Sequence, residues 1–238
     1  MLHPSLDGAR ACVFDAGGTL IHPDWPRLVG LAAETCAREF APAELERAFK
    51  EMLRAVGVEM QREGYVTPDD QKRPHWTFRR TYRSLGLDDE ACDRVVARLD
   101  ATHAERHLWC GLDPDAPRVI EELRRRGLRL AVVSNTEDGR LRDALEAAGV
   151  ADGFDLLVDS HLVGARKPDP AIFRYALERL GVEAREAAFV GDSYAHDALP
   201  ARAHGLRAIL LDPLDLHPES VCPRIGRLGE LINGEEMK

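Results

Sequence analysis

The stretch "FDAGGTL", residues 14–20, decides the fold, because it closes a short apolar run with one carboxylate, two glycines and a threonine. The run itself, "ACVFDA" from residue 11, has the length and apolar content of a buried strand. Asp15 is therefore expected at the carboxyl end of that strand. A carboxylate held in such a position is a candidate nucleophile.

Four further apolar runs have the character of strands, and all lie in the second half of the chain: "LRLAVVSN" from residue 128, "FDLLVDS" from 154, "AAFVGDS" from 187 and "LRAILLD" from 206. Helical patterns alternate with them. In "DPAIFRYALERLG", Asp169 is a candidate N-cap, Pro170 the first helical residue and Gly181 the helix end. This alternation predicts an α/β fold with a Rossmann-like parallel sheet covered on both faces.

Residues 21–111 interrupt the alternation. They read as consecutive amphipathic helices without a strand between them. The simplest interpretation is a helical domain inserted after the first strand. The core domain is then discontinuous, formed by residues 1–20 and 112–238.

Composition limits the classes of partner. The net charge of −9 argues against binding to nucleic acid or to an anionic membrane, since both require clustered positive charge. Five cysteines without a CxxC pair fit reduced thiols. No apolar run reaches the length of a membrane span, and "MLHPSLDGAR" lacks the order of a signal peptide. We therefore expect a cytoplasmic protein; the sequence carries no signal of its oligomeric state.

Polar residues follow three of the predicted strands. In a doubly wound parallel sheet, ligands bind at the carboxyl ends of the strands. Asp15 ends the first strand, Ser134 and Asn135 end the second, and Asp192 ends the fourth. Lys167 precedes a proline, which keeps the chain extended toward the same edge. These side chains are expected to form one site.

Four segments carry these residues: "FDAGGTL", "VVSN", "GARKPDP" and "FVGDSYAHD". In this order and spacing they resemble the four signature motifs of the haloacid dehalogenase superfamily. The resemblance covers nearly the whole chain and is to members with a helical, C1-type cap inserted after the first motif. It implies a hydrolase, a cap domain at residues 21–111 and a small phosphorylated molecule as substrate.

The chemistry of the side chains agrees with a phosphatase. Asp15 can attack phosphorus and so divide hydrolysis into the formation and the breakdown of an acyl phosphate. The charge on the transferred group needs preorganised donors and cations, which the Ser134 hydroxyl and the Lys167 ammonium can supply. The residues predicted to bind the phosphoryl group are Gly18, Thr19, Ser134, Asn135 and Lys167.

A divalent cation is expected beside the nucleophile, because a carboxylate and a phosphate repel each other. Mg²⁺ prefers oxygen ligands, and the carboxylates of Asp15, Asp192 and Asp197 can provide them. The resemblance implies one further ligand, the main-chain carbonyl of Gly17.

Gly17 also departs from the family pattern. Phosphatases of the family usually carry a second aspartate there, which protonates the leaving oxygen and later activates water. Positioned acid–base catalysis is typically worth about 10² to 10⁴ in rate. The residues considered as substitutes are His22, Asp24, Glu63, Tyr65 and His75.

Three alternatives to a phosphatase remain open from the sequence. Attack of Asp15 on carbon would make the protein a 2-haloacid dehalogenase, a class whose first motif also lacks the second aspartate. Cleavage of a phosphonate would need a buried lysine in the insert, where Lys50 and Lys72 are the lysines present. A non-catalytic module that binds a phosphorylated metabolite would also explain Gly17.

Overall fold

The computed structural model describes residues 1–63 and 75–233. The chain forms two compact units, the first made of Met1–His22 with Gly111–Lys238, the second of Pro23–Cys110. Among the described residues, no helix has both the length and the apolar character needed to cross a membrane.

Short strands build the sheets of the described chain. In chain order they are β1 (Ala11–Phe14), β2 (Ile21–Pro23), β3 (Trp109–Leu112), β4 (Arg129–Ser134), β5 (Leu156–Asp159), β6 (Ala187–Gly191), β7 (Arg207–Leu211) and β8 (Arg224–Ile225). Six of them form one sheet in the order β5-β4-β1-β6-β7-β8, with every pair parallel. The predicted α/β fold with a parallel sheet is confirmed.

The helices of the described chain are α1 (Trp25–Cys36), α2 (Pro42–Arg62), α3 (Trp76–Ser84), α4 (Asp89–Glu105), α5 (Ala116–Arg125), α6 (Leu141–Ala147), α7 (Ser160–Val163), α8 (Pro170–Leu180) and α9 (Leu199–Ala203). The first four belong to the second unit and the others to the first.

Strand β1 lies at the centre of the large sheet, and its register places Asp15. Phe14 pairs with Val132 of β4 on one side and with Val190 of β6 on the other. The Asp15 N–H then donates to the Val190 carbonyl at 2.8 Å. Asp15 is thus the first residue after β1, at the carboxyl end of the strand that lies between β4 and β6. Strand order reverses at this point, which is where ligands bind in such folds.

Helix α8 shows how the core fixes this arrangement. The Asp169 side chain accepts a hydrogen bond from the Ala171 N–H, and Gly181 ends the helix at φ +63°, as predicted. Between these caps, Phe173 packs edge-on against Phe189 of β6 with ring centroids 5.5 Å apart. This face of the sheet is buried, and α8 therefore holds the segment that contains Lys167 against it.

The second unit is a helical bundle with its own core. Tyr82 of α3 is fully buried, and its hydroxyl donates to the Leu28 carbonyl of α1 at 2.9 Å. Asp24 caps α1 through the Arg27 N–H, and Asp88 caps α4 through the Ala91 N–H. The apolar stripes expected from the sequence form this core, which includes Leu28, Leu45, Phe49, Met52, Val56, Phe78, Tyr82, Cys92, Val95 and Leu99.

Sequence patterns predicted the five long strands of the large sheet but missed β2, β3 and β8. Strand β8 has two residues and pairs only along the edge of β7, so it carries no alternation of its own. Strands β2 and β3 pair with each other although the helices α1 to α4 separate them in the chain. No local pattern in the sequence encodes such a pairing.

Candidate active site

The turn after β1 requires glycine at position 18. Gly18 has φ +86°, and a Cβ built there would lie 2.0 Å from Oδ2 of Asp192. A side chain at this position would be strained and would also displace the Asp192 carboxylate. The second glycine of "FDAGGTL" therefore lets the first and fourth motifs approach each other. Gly17 is not among the glycines with positive φ.

Lys167 lies between two carboxylates. Its Nζ is 2.5 Å from Oδ1 of Asp15 and 2.6 Å from Oδ1 of Asp197. All three side chains are buried, with exposed fractions of 3% for Lys167, 6% for Asp15 and 1% for Asp197. The structure therefore brings together three of the residues predicted for the site.

Asp197 reaches Lys167 because the chain folds back after β6. Residues Tyr194–Ala198 form a π-helical turn, and the Ser193 N–H donates to Oδ2 of Asp197 at 3.0 Å. A Cβ at Gly191 would lie 2.5 Å from Cγ of Asp197. Sequence reasoning missed this role of Gly191; the signal was a glycine directly before the acidic motif.

One ammonium shared by two carboxylates leaves one negative charge in excess at a buried site. Burial raises the pKa of Asp15 to about 6, and the like charge of Asp197 adds to the effect, although Lys167 opposes it. Burial disfavours the charged form of Lys167, but the ion pairs with Asp15 and Asp197 outweigh it and raise the Lys167 pKa. We therefore expect Lys167 to stay protonated and the site to favour a further cation.

The acidic residues fit a small divalent cation. One carboxylate oxygen from each of Asp15, Asp192 and Asp197 lies within 4.8 Å of the others. All three donors are oxygens, as Mg²⁺ prefers. Asp197 accepts hydrogen bonds from Lys167 Nζ through Oδ1 and from the Ser193 N–H through Oδ2.

The residues predicted to bind phosphate fall into different environments. Ser134 ends β4, and within the described part of the chain no hydrogen bond engages its hydroxyl. Asn135 instead uses its amide on the main chain of Lys167. Thr19 is fully buried, and its hydroxyl has no hydrogen-bond partner among the described residues. Phosphate binding by these residues stays a prediction.

His22 lies in the same unit as Asp15, and the other described substitutes for the missing acid lie in the second unit. Its Nε2 is 3.5 Å from Oδ2 of Asp113, a partner that the sequence did not suggest. Gly17 forms a bridge with Ile21, the residue before His22. His22 is thus carried by the strand that returns to the turn after β1.

The other substitutes have structural roles or positions of their own. Asp24 is the N-cap of α1, Glu63 is the C-cap residue of α2, and Nε2 of His75 lies 3.5 Å from Oδ1 of Asp100. Tyr65 lies outside the described residues.

Of the two lysines considered for a Schiff base, Lys50 lies among the described residues. Lys50 Nζ lies 3.4 Å from Glu46 Oε1, in an ion pair along α2. Lys72 lies outside the described residues.

Comparison with known proteins identifies the family of this chain. The family model for haloacid dehalogenase-like hydrolases matches residues 9–205. The chain belongs to that family. This haloacid dehalogenase-like hydrolase is 36% identical to the phosphoserine phosphatase of Thermus thermophilus, over 73% of this chain and 72% of the relative. It is 33% identical to the phosphoglycolate phosphatase of Rhodospirillum rubrum, over 85% of this chain and 79% of the relative.

A solved structure shares the fold of this haloacid dehalogenase-like hydrolase. The HAD phosphatase from Thermococcus onnurineus matches it with a TM-score of 0.60 and 26% identity, over 94% of this chain and 96% of the other.

Proposed function

We propose that the protein is a Mg²⁺-dependent phosphatase that forms an aspartyl phosphate on Asp15 and acts on a small phosphorylated metabolite. The observation that carries the proposal is the buried ion pair of Asp15 with Lys167, beside the carboxylates of Asp192 and Asp197. The phosphatase names of two relatives support the same reaction class. We also propose that the second unit is the cap domain.

The first half-reaction is attack of the Asp15 carboxylate on phosphorus. A bond forms between a carboxylate oxygen and phosphorus, and the bond from phosphorus to the substrate oxygen breaks with its electron pair leaving on that oxygen. Lys167 holds one carboxylate oxygen of Asp15 at 2.5 Å, which restricts the direction of the nucleophile. The Ser134 hydroxyl and the Lys167 ammonium would stabilise charge on the transferred group.

The second half-reaction is hydrolysis of the acyl phosphate, in which water releases inorganic phosphate and restores the Asp15 carboxylate. Both halves need a proton carrier, since the leaving oxygen gains a proton and the attacking water loses one. Gly17 has no side chain for this work. The His22 imidazole, with Asp113 to orient it, is our candidate.

Asp15 and Asp192 would hold the magnesium ion, together with the main-chain carbonyl of Gly17. The ion would supply positive charge against which carboxylate and phosphate can approach each other. The excess negative charge of the buried group formed by Asp15, Lys167 and Asp197 supports this assignment.

The same acidic residues argue against a dehalogenase. A haloacid carries its own carboxylate, and Asp192 and Asp197 would repel it without a cation. A chloroacid is therefore the proper negative control in the assay. The non-catalytic alternative differs from both enzymes because it predicts Mg²⁺-dependent binding of a ligand without product.

A substrate panel tests the proposal. Purified protein is assayed for phosphate release from small phosphate esters with Mg²⁺ and with EDTA, beside chloride release from a chloroacid. We expect phosphate release only with the metal, and its loss in Asp15→Asn. Chloride release, or ligand binding without turnover of any ester, would overturn the assignment.

A further inference from the structure

Asn135 makes a paired contact with the main chain of Lys167. Its Oδ1 accepts a hydrogen bond from the Lys167 N–H at 2.8 Å, and its Nδ2 donates to the Lys167 carbonyl at 2.9 Å. Only one orientation of the amide satisfies both groups, because the N–H needs an acceptor and the carbonyl needs a donor. One side chain therefore satisfies both main-chain groups of the candidate catalytic lysine.

This contact matters because Lys167 has a long and flexible side chain. At one end its Nζ meets the carboxylates of Asp15 and Asp197. At the other end, the position of its Cα depends on how firmly the surrounding main chain is held. A lysine is a mobile point charge unless its attachment is fixed, and an error of about 1 Å in placing a catalytic group can cost about 10² in rate.

Asn135 is itself held firmly by the loop that contains it. The next residue, Thr136, donates its N–H to the Ser160 hydroxyl at 3.0 Å and its hydroxyl to Oδ1 of Asp159. Asp159 is buried and also accepts from the Leu141 N–H at 3.1 Å. The end of β4 is thereby tied to the end of β5, and the main-chain part of this tie, from the Thr136 N–H to the Ser160 hydroxyl, does not depend on the Thr136 side chain.

We propose that Asn135 is a positioning residue that acts through Lys167, holding its main chain so that Nζ meets Asp15. This inference rests on the proposed function. It differs from a direct contact between the Asn135 amide and the phosphate, which would act independently of Lys167. The two roles make opposite predictions for a double-mutant cycle.

Crystal structures test the geometric part without any assay of activity. In Asn135→Ala both hydrogen bonds are lost, and we expect Lys167 Nζ to move beyond hydrogen-bond distance of Asp15 or to become disordered. Thr136→Val is the matched control, because it removes a hydrogen bond from the same loop without touching Lys167. An Asn135→Ala structure in which Nζ keeps its place would overturn the proposal.

Turnover and phosphate affinity test the functional part. We expect Asn135→Ala to lower kcat about 10- to 100-fold and Thr136→Val to change it by less than about threefold. In a Lys167→Ala background, Asn135→Ala should weaken the binding of inorganic phosphate, measured by calorimetry with Mg²⁺, by no more than about twofold. That measurement needs no turnover.

Each other result counts against the positioning role. Equal losses of kcat in Asn135→Ala and Thr136→Val would assign the effect to the loop as a whole. A tenfold loss of phosphate affinity that persists without the Lys167 side chain would assign Asn135 to the phosphate directly. If the wild-type protein hydrolyses no phosphate ester, the proposed function fails, while the crystal structures still decide whether Asn135 positions Lys167.

Discussion

Lys167 Nζ lies 2.5 Å from Oδ1 of Asp15, in a buried ion pair between residues 152 positions apart in the chain. The same Nζ also meets Asp197, so one cation serves two carboxylates. This geometry has two consequences. It orients the candidate nucleophile, and it leaves a net negative charge where a divalent cation and a phosphate are expected to bind.

Replacing the nucleophile is the first test. Asp15→Asn keeps the shape of the side chain but removes its charge, and we expect phosphate ester turnover to fall by at least about a thousandfold, or about 4 kcal/mol of activation free energy. Asp152→Asn, an exposed change of the same type, is the control. Residual activity within tenfold of wild type would exclude an aspartyl phosphate on Asp15.

The raised pKa of Asp15 predicts how stability depends on pH when no metal is bound. Between the ordinary pKa of 3.8 and about 6, the folded protein binds more protons than the unfolded chain, so stability falls as pH rises through this window. Asp15→Asn removes this dependence. In EDTA, the Tm of wild type relative to Asp15→Asn should drop by roughly 5 °C between pH 4.5 and pH 7. A Tm difference independent of pH would contradict the assignment.

Magnesium binding should depend on Asp192. We expect Asp192→Asn to weaken Mg²⁺ affinity, measured by calorimetry, by at least about tenfold, because it removes one of two charged ligands. Mg²⁺ should also raise the Tm of wild type more than that of Asp192→Asn. Unchanged affinity in the variant would place the ion elsewhere.

The two adjacent glycines provide a matched pair of variants. Gly18→Ala should lower the free energy of unfolding by at least about 2 kcal/mol, because its φ is positive and its Cβ would overlap the Asp192 carboxylate. Gly17→Ala escapes the positive-φ strain and should be milder. Chemical denaturation compares them, and a Gly18→Ala protein as stable as wild type would show that the turn does not require glycine.

The absent acid at Gly17 should appear as a dependence on the leaving group. An alkoxide leaves poorly without a proton, whereas a nitrophenolate leaves unaided, so Gly17→Asp should raise kcat on alkyl phosphates more than on aryl phosphates. If His22 already supplies the proton, His22→Ala should lower activity about 10²-fold on alkyl esters and much less on aryl esters. Equal effects on both ester classes would remove His22 from this role.

The sequence alone determined the local features of this protein. The apolar run before Asp15, the capped stripe of α8 and the alternation of strands with helices depend on short-range periodicity and on caps, which a single chain displays directly. The order of four motifs along the chain then identified the family, and a glycine at position 17 was visible without coordinates.

Only the tertiary structure decided what the side chains contact. The contact between the amide of Asn135 and the main chain of Lys167, 32 positions away, could not be predicted from the sequence. At positions 191 and 18 glycine is needed because the side chains of Asp197 and Asp192 occupy the space that a Cβ would take. No local sequence pattern encodes such a close approach. Hydrogen bonds and ion pairs between distant segments depend on the register of parallel strands and on the packing between them, so they exist only in the folded chain.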